Sequence, residues 1–570
     1  MAKQVSEDKA LHVAQQIMGN QLKLRNSSFL LQLIYKAPAG NSGLRSFSRN
    51  DKVLYYVYNV GQNAGFVIVA GDDLVYPVIG YATSGMYDPD NLPPNFQVWM
   101  ENVEYGLNEA IEKEVWPSES TAKAWNYYLS GNQTDLRTLQ SSVGPLLRTQ
   151  WGQDVPYNDL CPTYNRTEKS VSGCVATTMA QIMKYHRYPD AGTGNTDLYI
   201  SKTINQVMKS VNLDNYSYNW DIMLNRYLGN STKEARDEIA KLMYHCGLSV
   251  QMDYGRTSSA SVYDAGAALM KYFKYDKGLQ LFTRSYYSNE DWKNIIYKEL
   301  DAGRPIFYSG LSTEGGHAFV CDGYDSAGLF HFNWGWDGQL DGYFTIDNIT
   351  YKYDNDAIVG IQPEAGGSAE PVIALLGGYD FKATSEKVLQ NGTFYAYARF
   401  INIGLIPFSG YYGVILTDQY DRFVSKVGSL SESTLVNPGY YMNKEFSFYC
   451  KIPTTVPDGN YKIHAAYSRD GINWTIAKAR NGSIGNLSLM VGKGAGINRI
   501  QASPVKVYRD GQTIIVDSPA GEKIEIYSVI GNLILRTNKQ AGTERIDIQL
   551  PVKQILIVKG SSGWIKKILI

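Results

Sequence analysis

Three polar, glycine-bearing breaks divide this chain into pieces: Ser130-Gly-Asn-Gln-Thr-Asp135, Gly366-Gly-Ser-Ala-Glu-Pro371 and Gly492-Lys-Gly-Ala-Gly496. Such stretches bury little and carry turn chemistry, so they read as linkers. Length requires the same division, because 570 residues exceed what one core can hold at roughly 100–200 residues per domain.

The pieces differ in pattern. Val5, Leu11, Val13, Ala14 and Ile17 recur at helical spacing, predicting an amphipathic helix over 5–18. Val53–Val60 and Gly65–Gly71, joined by Gly61-Gln-Asn-Ala64, read as a hairpin, and Pro93-Pro94 opens a helical stretch to about Glu114. From Val143 to about Pro363, helical segments near 174–186, 233–247, 262–273 and 290–302 give way to Tyr-, Phe- and Gly-rich strands. That order predicts an α+β domain with helices in one lobe and a sheet in the other. Residues 372–492 carry short strands and turns such as Pro457-Asp-Gly-Asn460, the pattern of a β-sandwich. Residues 497–570 form a last small β unit, clearest at Lys523–Ser528 and Gln554–Val558.

A formal net charge of −1 gives no support for nucleic-acid binding. No run of about 18 apolar residues predicts a transmembrane segment. The five cysteines, Cys161, Cys174, Cys246, Cys321 and Cys450, show no CxxC and no zinc-ligand spacing, so we expect no metal and no cofactor. An odd number in an exported protein leaves at least one thiol unpaired.

Cys174 is placed to react. Val175, Met179, Ile182, Met183 and His186 share one helical face, and Cys174 stands where that helix begins, after Ser172-Gly173. The positive end of the helix dipole favours thiolate there, and the apolar face would anchor the helix while leaving the thiol at an exposed tip. The bland alternative, a buried Cys acting as a small hydrophobe, has equal standing on position alone. A nucleophilic thiol needs a base. Of six histidines, His317 in Gly315-Gly-His-Ala-Phe-Val-Cys-Asp-Gly323 sits at the start of a core strand; His331 is the second candidate. Asn333, in Phe332-Asn-Trp-Gly-Trp-Asp-Gly338, can accept the imidazole N–H and fix its tautomer, with a Trp shielding the bond. The alternative there is an aromatic packing cluster at a strand end.

These motifs resemble the streptopain family of cysteine peptidases. The likeness rests on Ser172–Pro189, Gly315–Val320, Asn333–Trp336 and Gly247–Gly255, and in the N-terminal region on Gly65–Asp72 and Gly80–Gly85. It spans about residues 1–363. The resemblance implies a papain-like two-lobed fold, peptide or protein substrates, and a propeptide acting as intramolecular inhibitor. It implies Cys174 as nucleophile, His317 as base and Trp336 as a supporting residue. Gly316 and Ser259 match positions lining the substrate cleft, with Ser258 an alternative because the 256–261 loop is one residue short. Asp337 departs from the family, which usually has Gly there. No Gln lies between Asn158 and Cys174, so only the Cys174 N–H is assigned to an oxyanion hole.

The expected organisation is an inhibitory propeptide over 1–142, a papain-like peptidase domain over 143–365, a β-sandwich of unknown role over 372–492, and a small β domain over 497–570. The last resembles the C-terminal sorting domains of Bacteroidetes secreted proteins. The first residues lack a signal peptide's apolar core, which fits a cytosolic protein or an exported one whose leader has been removed. The propeptide and β-rich tail favour export. A silent adhesin on the same scaffold, or a transglutaminase-like or amidase enzyme, are the rivals. The Cys174/His317 pair argues against the first, and Asn333 in place of an Asp against the second.

Overall fold

The computed structural model describes residues 3–22, 30–39, 52–113, 117–130, 141–312, 315–346 and 354–492. Further on it describes 506–510, 513–518, 521–528, 533–540, 542–547, 555–561 and 565–569. The expected linkers at 130–135 and 492–496 lie outside the described residues beyond Ser130 and Gly492.

The N-terminal region begins with α1 (Glu7–Gln21), capped by the Ser6 side chain on the Lys9 amide. Four strands follow as an antiparallel meander: β1 (Leu31–Pro38), β2 (Val53–Val60), β3 (Phe66–Ala70) and β4 (Val78–Ala82). Then come α2 (Pro94–Glu112), with Pro at its first turn where no N–H is needed, and α3 (Glu119–Ser130). The helical lobe contributes α4 (Cys174–His186), a ribbon of β5 (Tyr199–Ser201) and β6 (Gln206–Met208), α5 (Lys233–Ser249) and α6 (Val262–Tyr272). The remainder to 359 comprises β7 (Gln280–Thr283), α7 (Asn289–Asp301), β8 (Ile306–Ser312), β9 (Gly315–Tyr324), β10 (Phe330–Asn333), β11 (Gly342–Phe344) and β12 (Asn355–Val359). The fold is α+β, as the order of patterns predicts.

The expectation of a self-contained N-terminal unit needs one addition. The meander runs on into the second sheet as a single ten-stranded order, β1-β2-β3-β4-β11-β10-β9-β8-β12-β7. The joint pairs Tyr81 with Tyr343 and Gly80 with Phe344, and the Thr345 amide donates to the Ile79 carbonyl at 2.9 Å. Glycine makes this approach feasible. A Cβ on Gly80 would stand 2.2 Å from the Phe344 ring, and one on Gly342 would stand 2.4 Å from the Tyr81 carbonyl oxygen. Beneath the joint, α2 buries Phe96, Trp99, Met100, Val103 and Leu107. Phe96 meets Trp334 edge-on at 5.5 Å and Trp99 meets Phe344 at 5.0 Å, pairs worth about 0.5–1.5 kcal/mol each beyond their area.

The two faces of β9 serve two cores. Ala318 and Val320 join the core of the helical lobe with Cys174, Val175 and Met179, while Phe319 and Cys321 join the core shared with the N-terminal region.

The chain divides into two compact units. Residues 1–386, 393–451 and 461–489 form one; residues 387–392, 452–460 and 490–570 form the other. The sandwich strands fall largely in the first, where Phe408–Thr417 pairs with Phe423–Val436 on one side and with residues 462–468 on the other. Thr393–Ala398 pairs with Phe446–Lys451, whose alternating burial marks the sandwich interior. The second unit holds two antiparallel sheets around Ile514, Val516, Ile524, Ile526, Leu556 and Val558. No helix among the described residues is long and apolar enough to cross a membrane.

Candidate active site

Gly173, at φ +89°, turns the chain so that α4 starts with Cys174, a backbone conformation that L side chains rarely adopt. Val175, Met179, Ile182 and Met183 are buried, as the spacing predicts. The thiol itself departs from expectation, since Cys174 is only 8% exposed. Burial pushes its pKa up, opposed by backbone amides of Ala318, Val175 and Cys174 itself. In this conformation the sulfur is held toward the neutral form.

His317 lies on β9, paired with Gly310 of β8. The structure therefore brings Cys174 against the residue next to His317. Gly316 is exposed on the same strand. Ser259 is exposed and bridges Asp253 by paired backbone hydrogen bonds of 2.9 and 3.1 Å. Ser258, the alternative, is buried, and its hydroxyl donates to the Val171 carbonyl at 2.7 Å, supporting the turn into Cys174.

The N-terminal region reaches this centre through a residue that pattern reading passed over. Asn95, 1% exposed at the start of α2, donates its Nδ2 to the carbonyls of Ala318 at 3.0 Å and Trp334 at 2.9 Å. Its Oδ1 is buried without a hydrogen-bond partner among the described residues. One side chain thus clamps the strand that carries His317 to the loop that carries Trp336. The available signal was a polar residue at a helix-face position beside Phe96 and Trp99.

Asn333 is placed differently from the expectation that it accepts the His317 ring N–H. Its Oδ1 already accepts from Gln181 Nε2 at 2.9 Å and from the Gly335 amide at 3.1 Å, which occupies both lone pairs. Its Nδ2 donates to the Thr149 carbonyl at 2.7 Å. Gln181, two turns along α4 from Cys174, accepts from the Thr149 hydroxyl at 2.8 Å, so the network ties α4, β10 and the 149–151 segment together. Trp336 is half-buried against the shared core, with its Nε1 buried and unpartnered among the described residues. The loop around it is braced by Trp334, whose amide donates to Asp341 Oδ1 at 2.9 Å and whose Nε1 donates to the Leu340 carbonyl at 2.9 Å. Asp337 stands at φ +53°, which explains why glycine suits the position; Asp is among the side chains that tolerate it best.

His331, the second candidate base, is committed elsewhere: its Nδ1 lies 2.6 Å from Asp322 Oδ1. Burial disfavours the charged ring, Asp322 more than offsets this, and the net shift is upward. His245 is buried and His186 half-buried, with pKa values lowered to about 4 by desolvation, as helix-face packing residues.

A second residue missed from sequence is Gln153. It is buried, and its carbonyl accepts the Ser172 amide at 3.0 Å, which sets it beside the segment entering Cys174. It lies upstream of the 158–174 window, and only tertiary contact shows its proximity. All five cysteines are free, and no group of His, Cys, Asp or Glu among the described residues could hold a metal.

A buried thiol opening a helix that packs on a sheet strand, with a His at the start of that strand, defines a papain-like cysteine peptidase. The family models and the curated relatives agree. The model of the peptidase C10 family matches residues 151–344, and that of the Spi protease inhibitor matches residues 2–106. The chain is 34% identical over 326 residues to streptopain of Streptococcus pyogenes, covering 55% of this chain and 77% of streptopain. It is 31% identical over 383 residues to the thiol protease/hemagglutinin PrtT of Porphyromonas gingivalis, covering 62% of this chain. It spans only 42% of PrtT's length. Among solved structures, a prointerpain A fragment of Prevotella intermedia is 28% identical, with a TM-score of 0.49, covering 59% of this chain and 100% of the fragment. The chain belongs to the streptopain family, the C10 family of cysteine peptidases.

Proposed function

We propose that this chain is the zymogen of a secreted cysteine endopeptidase, silenced by residues 1–142 and acting through Cys174 and His317 once they are removed. The observation that carries this reading is Asn95, which grips the Ala318 and Trp334 carbonyls while the Cys174 thiol is buried and held neutral. Release of α2 would free the strand end bearing His317 and open the thiol to its base. In the active form His317 takes the thiol proton, and the thiolate adds to the scissile carbonyl carbon. The Cys174 N–H and Gln153 are our assignment for the oxyanion hole. The C–N bond then breaks as His317 protonates the leaving amine, and water, deprotonated by His317, hydrolyses the thioester to release the acid. Trp336 shields His317, and Gly316 and Ser259 line the cleft. Asn333 supports the Trp336 loop.

The proposed cut falls between Ser130 and Val143. Trp125 and Tyr128 of α3 are buried in the N-terminal core, whereas Val143 exchanges backbone hydrogen bonds with Tyr324 of β9. Residues 143–365 are the proposed catalytic domain, 372–492 a β domain retained with it, and 497–570 a sorting domain that directs export. A time course under reducing conditions tests the scheme. Wild type should shorten by about 16 kDa, the share of 142 residues in a 63.7 kDa chain, and gain casein-cleaving activity as it does. Cys174→Ala should stay full length until active enzyme is added. Full activity in an uncut chain would sink the zymogen reading, and turnover by Cys174→Ala would sink the nucleophile.

A further inference from the structure

Two loops of the sandwich, at Leu405 and Gly439, pack on α6, the helix that follows the Ser259 loop. The backbone of Gly439 lies on the Tyr263 ring, where a Cβ would be 2.9 Å away, and Leu405 lies on Gly266, where a Cβ would be 2.6 Å away. Arg480 Nη2 donates to Asp354 Oδ2 at 2.8 Å, and the Asn481 amide donates to the Ser285 carbonyl at 2.6 Å. The sandwich is therefore anchored beside the cleft wall.

The loop that touches Tyr263 is held from behind. Asn402, fully buried, donates Nδ2 to the carbonyls of Val436 at 2.9 Å and Ile406 at 2.8 Å. Its backbone amide donates to the Tyr440 carbonyl at 3.0 Å, and its carbonyl accepts from Gly439 at 2.8 Å. The Met442 amide donates to the Phe400 carbonyl at 3.2 Å. This pinned backbone presents apolar side chains to water: Leu435 is 57% exposed, Tyr440 69% and Tyr441 53%. With Met442 and Lys444 they line an open cavity of about 390 Å³. Fixing a loop internally while leaving its tyrosines outside spends no side-chain contact on stability. It does prepare a surface, because rigid aromatic side chains supply contact area with little further entropy to lose.

We infer that this tyrosine groove is an accessory subsite that holds the polypeptide chain of protein substrates outside the catalytic cleft. The inference rests on the peptidase reading above. The argument for the occupant is continuity. Tyr263 is four residues from Ser259, so the groove's anchor lies at most about 14 Å of backbone from the proposed cleft wall. An extended substrate at about 3.3 Å per residue covers that distance in four or five residues. The groove would take an apolar or aromatic side chain of an unfolded protein, and short peptides would not reach it.

The test compares the processed wild type with its Tyr440→Ala/Tyr441→Ala variant on two substrates, a short fluorogenic peptide and unfolded casein. The variant should cut the peptide with unchanged kcat and KM. On casein its KM should rise about five- to tenfold with kcat unchanged, the size expected for losing interface aromatic anchors. Leu435→Ser should reproduce the effect more weakly. Equal casein kinetics would overturn the subsite, as would equal losses on both substrates, which would mean that the loop merely props α6. A wild-type dimer dissolved by the tyrosine changes would assign the groove to a second copy and overturn it too. Wild type that cuts neither substrate would sink the peptidase reading and the subsite with it.

Discussion

The N-terminal region and the sandwich both lean on the papain-like lobes, by different means. The first joins by continuing the sheet: β4 pairs with β11, α2 fills the aromatic core beneath, and Asn95 reaches the carbonyls of Ala318 and Trp334. The second adds no strand to that sheet and joins through loop contacts at α6, Ser285 and Asp354. The contrast separates two ways of acting on an enzyme. A segment that must silence chemistry has to enter the site's own hydrogen-bond system. On the function proposed above, a segment retained with the mature enzyme need only dock away from that system.

The largest effect should come from Asn95→Ala, which leaves the buried Ala318 and Trp334 carbonyls without this donor. Each unsatisfied group costs about 1–3 kcal/mol, although loss of the unpaired Oδ1 offsets part of that. In the Cys174→Ala background the melting temperature should fall by several degrees. With Cys174 intact, self-shortening should start sooner. An unchanged processing rate would mean that Asn95 is packing only and that the two regions do not differ as argued.

A smaller effect is expected from pH, under the loop that Asn95 grips. Burial pushes Asp341 up to about 7. A raised carboxyl contributes stability that is full below its ordinary pKa of about 3.9 and is lost as pH climbs toward 7. His331, also raised, acts with the same sign around and above its ordinary value. His186 and His245, with pKa values lowered to about 4, act with the opposite sign between pH 4 and about 6.5, so the Asp341 contribution is read as a difference between two proteins. Relative to Cys174→Ala, the further change Asp341→Asn, which keeps an acceptor for the Trp334 amide, should remove a downward component of the melting temperature between pH 4 and 7. The same slope in both proteins would remove Asp341 from this account.

The smallest change should be Arg480→Ala on the sandwich side. Its ion pair with Asp354 is partly exposed, so the loss should stay within about 1 kcal/mol, read by denaturant midpoint, with peptide cleavage unaltered. A loss as large as that of Asn95→Ala would erase the distinction between the two joints.

Sequence carried these regions unequally. The start of α4 at Cys174 was legible because apolar spacing and Gly173 are local signals. The helices at 233–249, 262–272 and 289–301 were legible for the same reason. The β4–β11 joint was not, because Tyr81 and Tyr343 meet across most of the peptidase sequence and periodicity says nothing about such pairings. Asn333 shows where pattern runs out: an amide beside a histidine can accept its N–H, but in this structure Gln181 and Gly335 donate to its oxygen, which spacing alone does not reveal. Gln153 and Asn95 escaped because nearness to Cys174 and to residue 318 comes from folding alone. The exposed tyrosines at 440 and 441 are ordinary turn residues until Asn402 is seen holding their backbone.

The short joint at β11 has a consequence for solubility. If β4 departs with the N-terminal region, Gly342–Phe344 becomes a sheet border with open amides and carbonyls, next to a bed of bared aromatic rings. Unpaired borders invite other chains to add strands, and the hazard grows with their length. Here the border is three residues long and begins with a glycine, too little to template a foreign strand stably. A strand can be surrendered from this sheet with limited danger of clumping because so few of its rungs were ever shared.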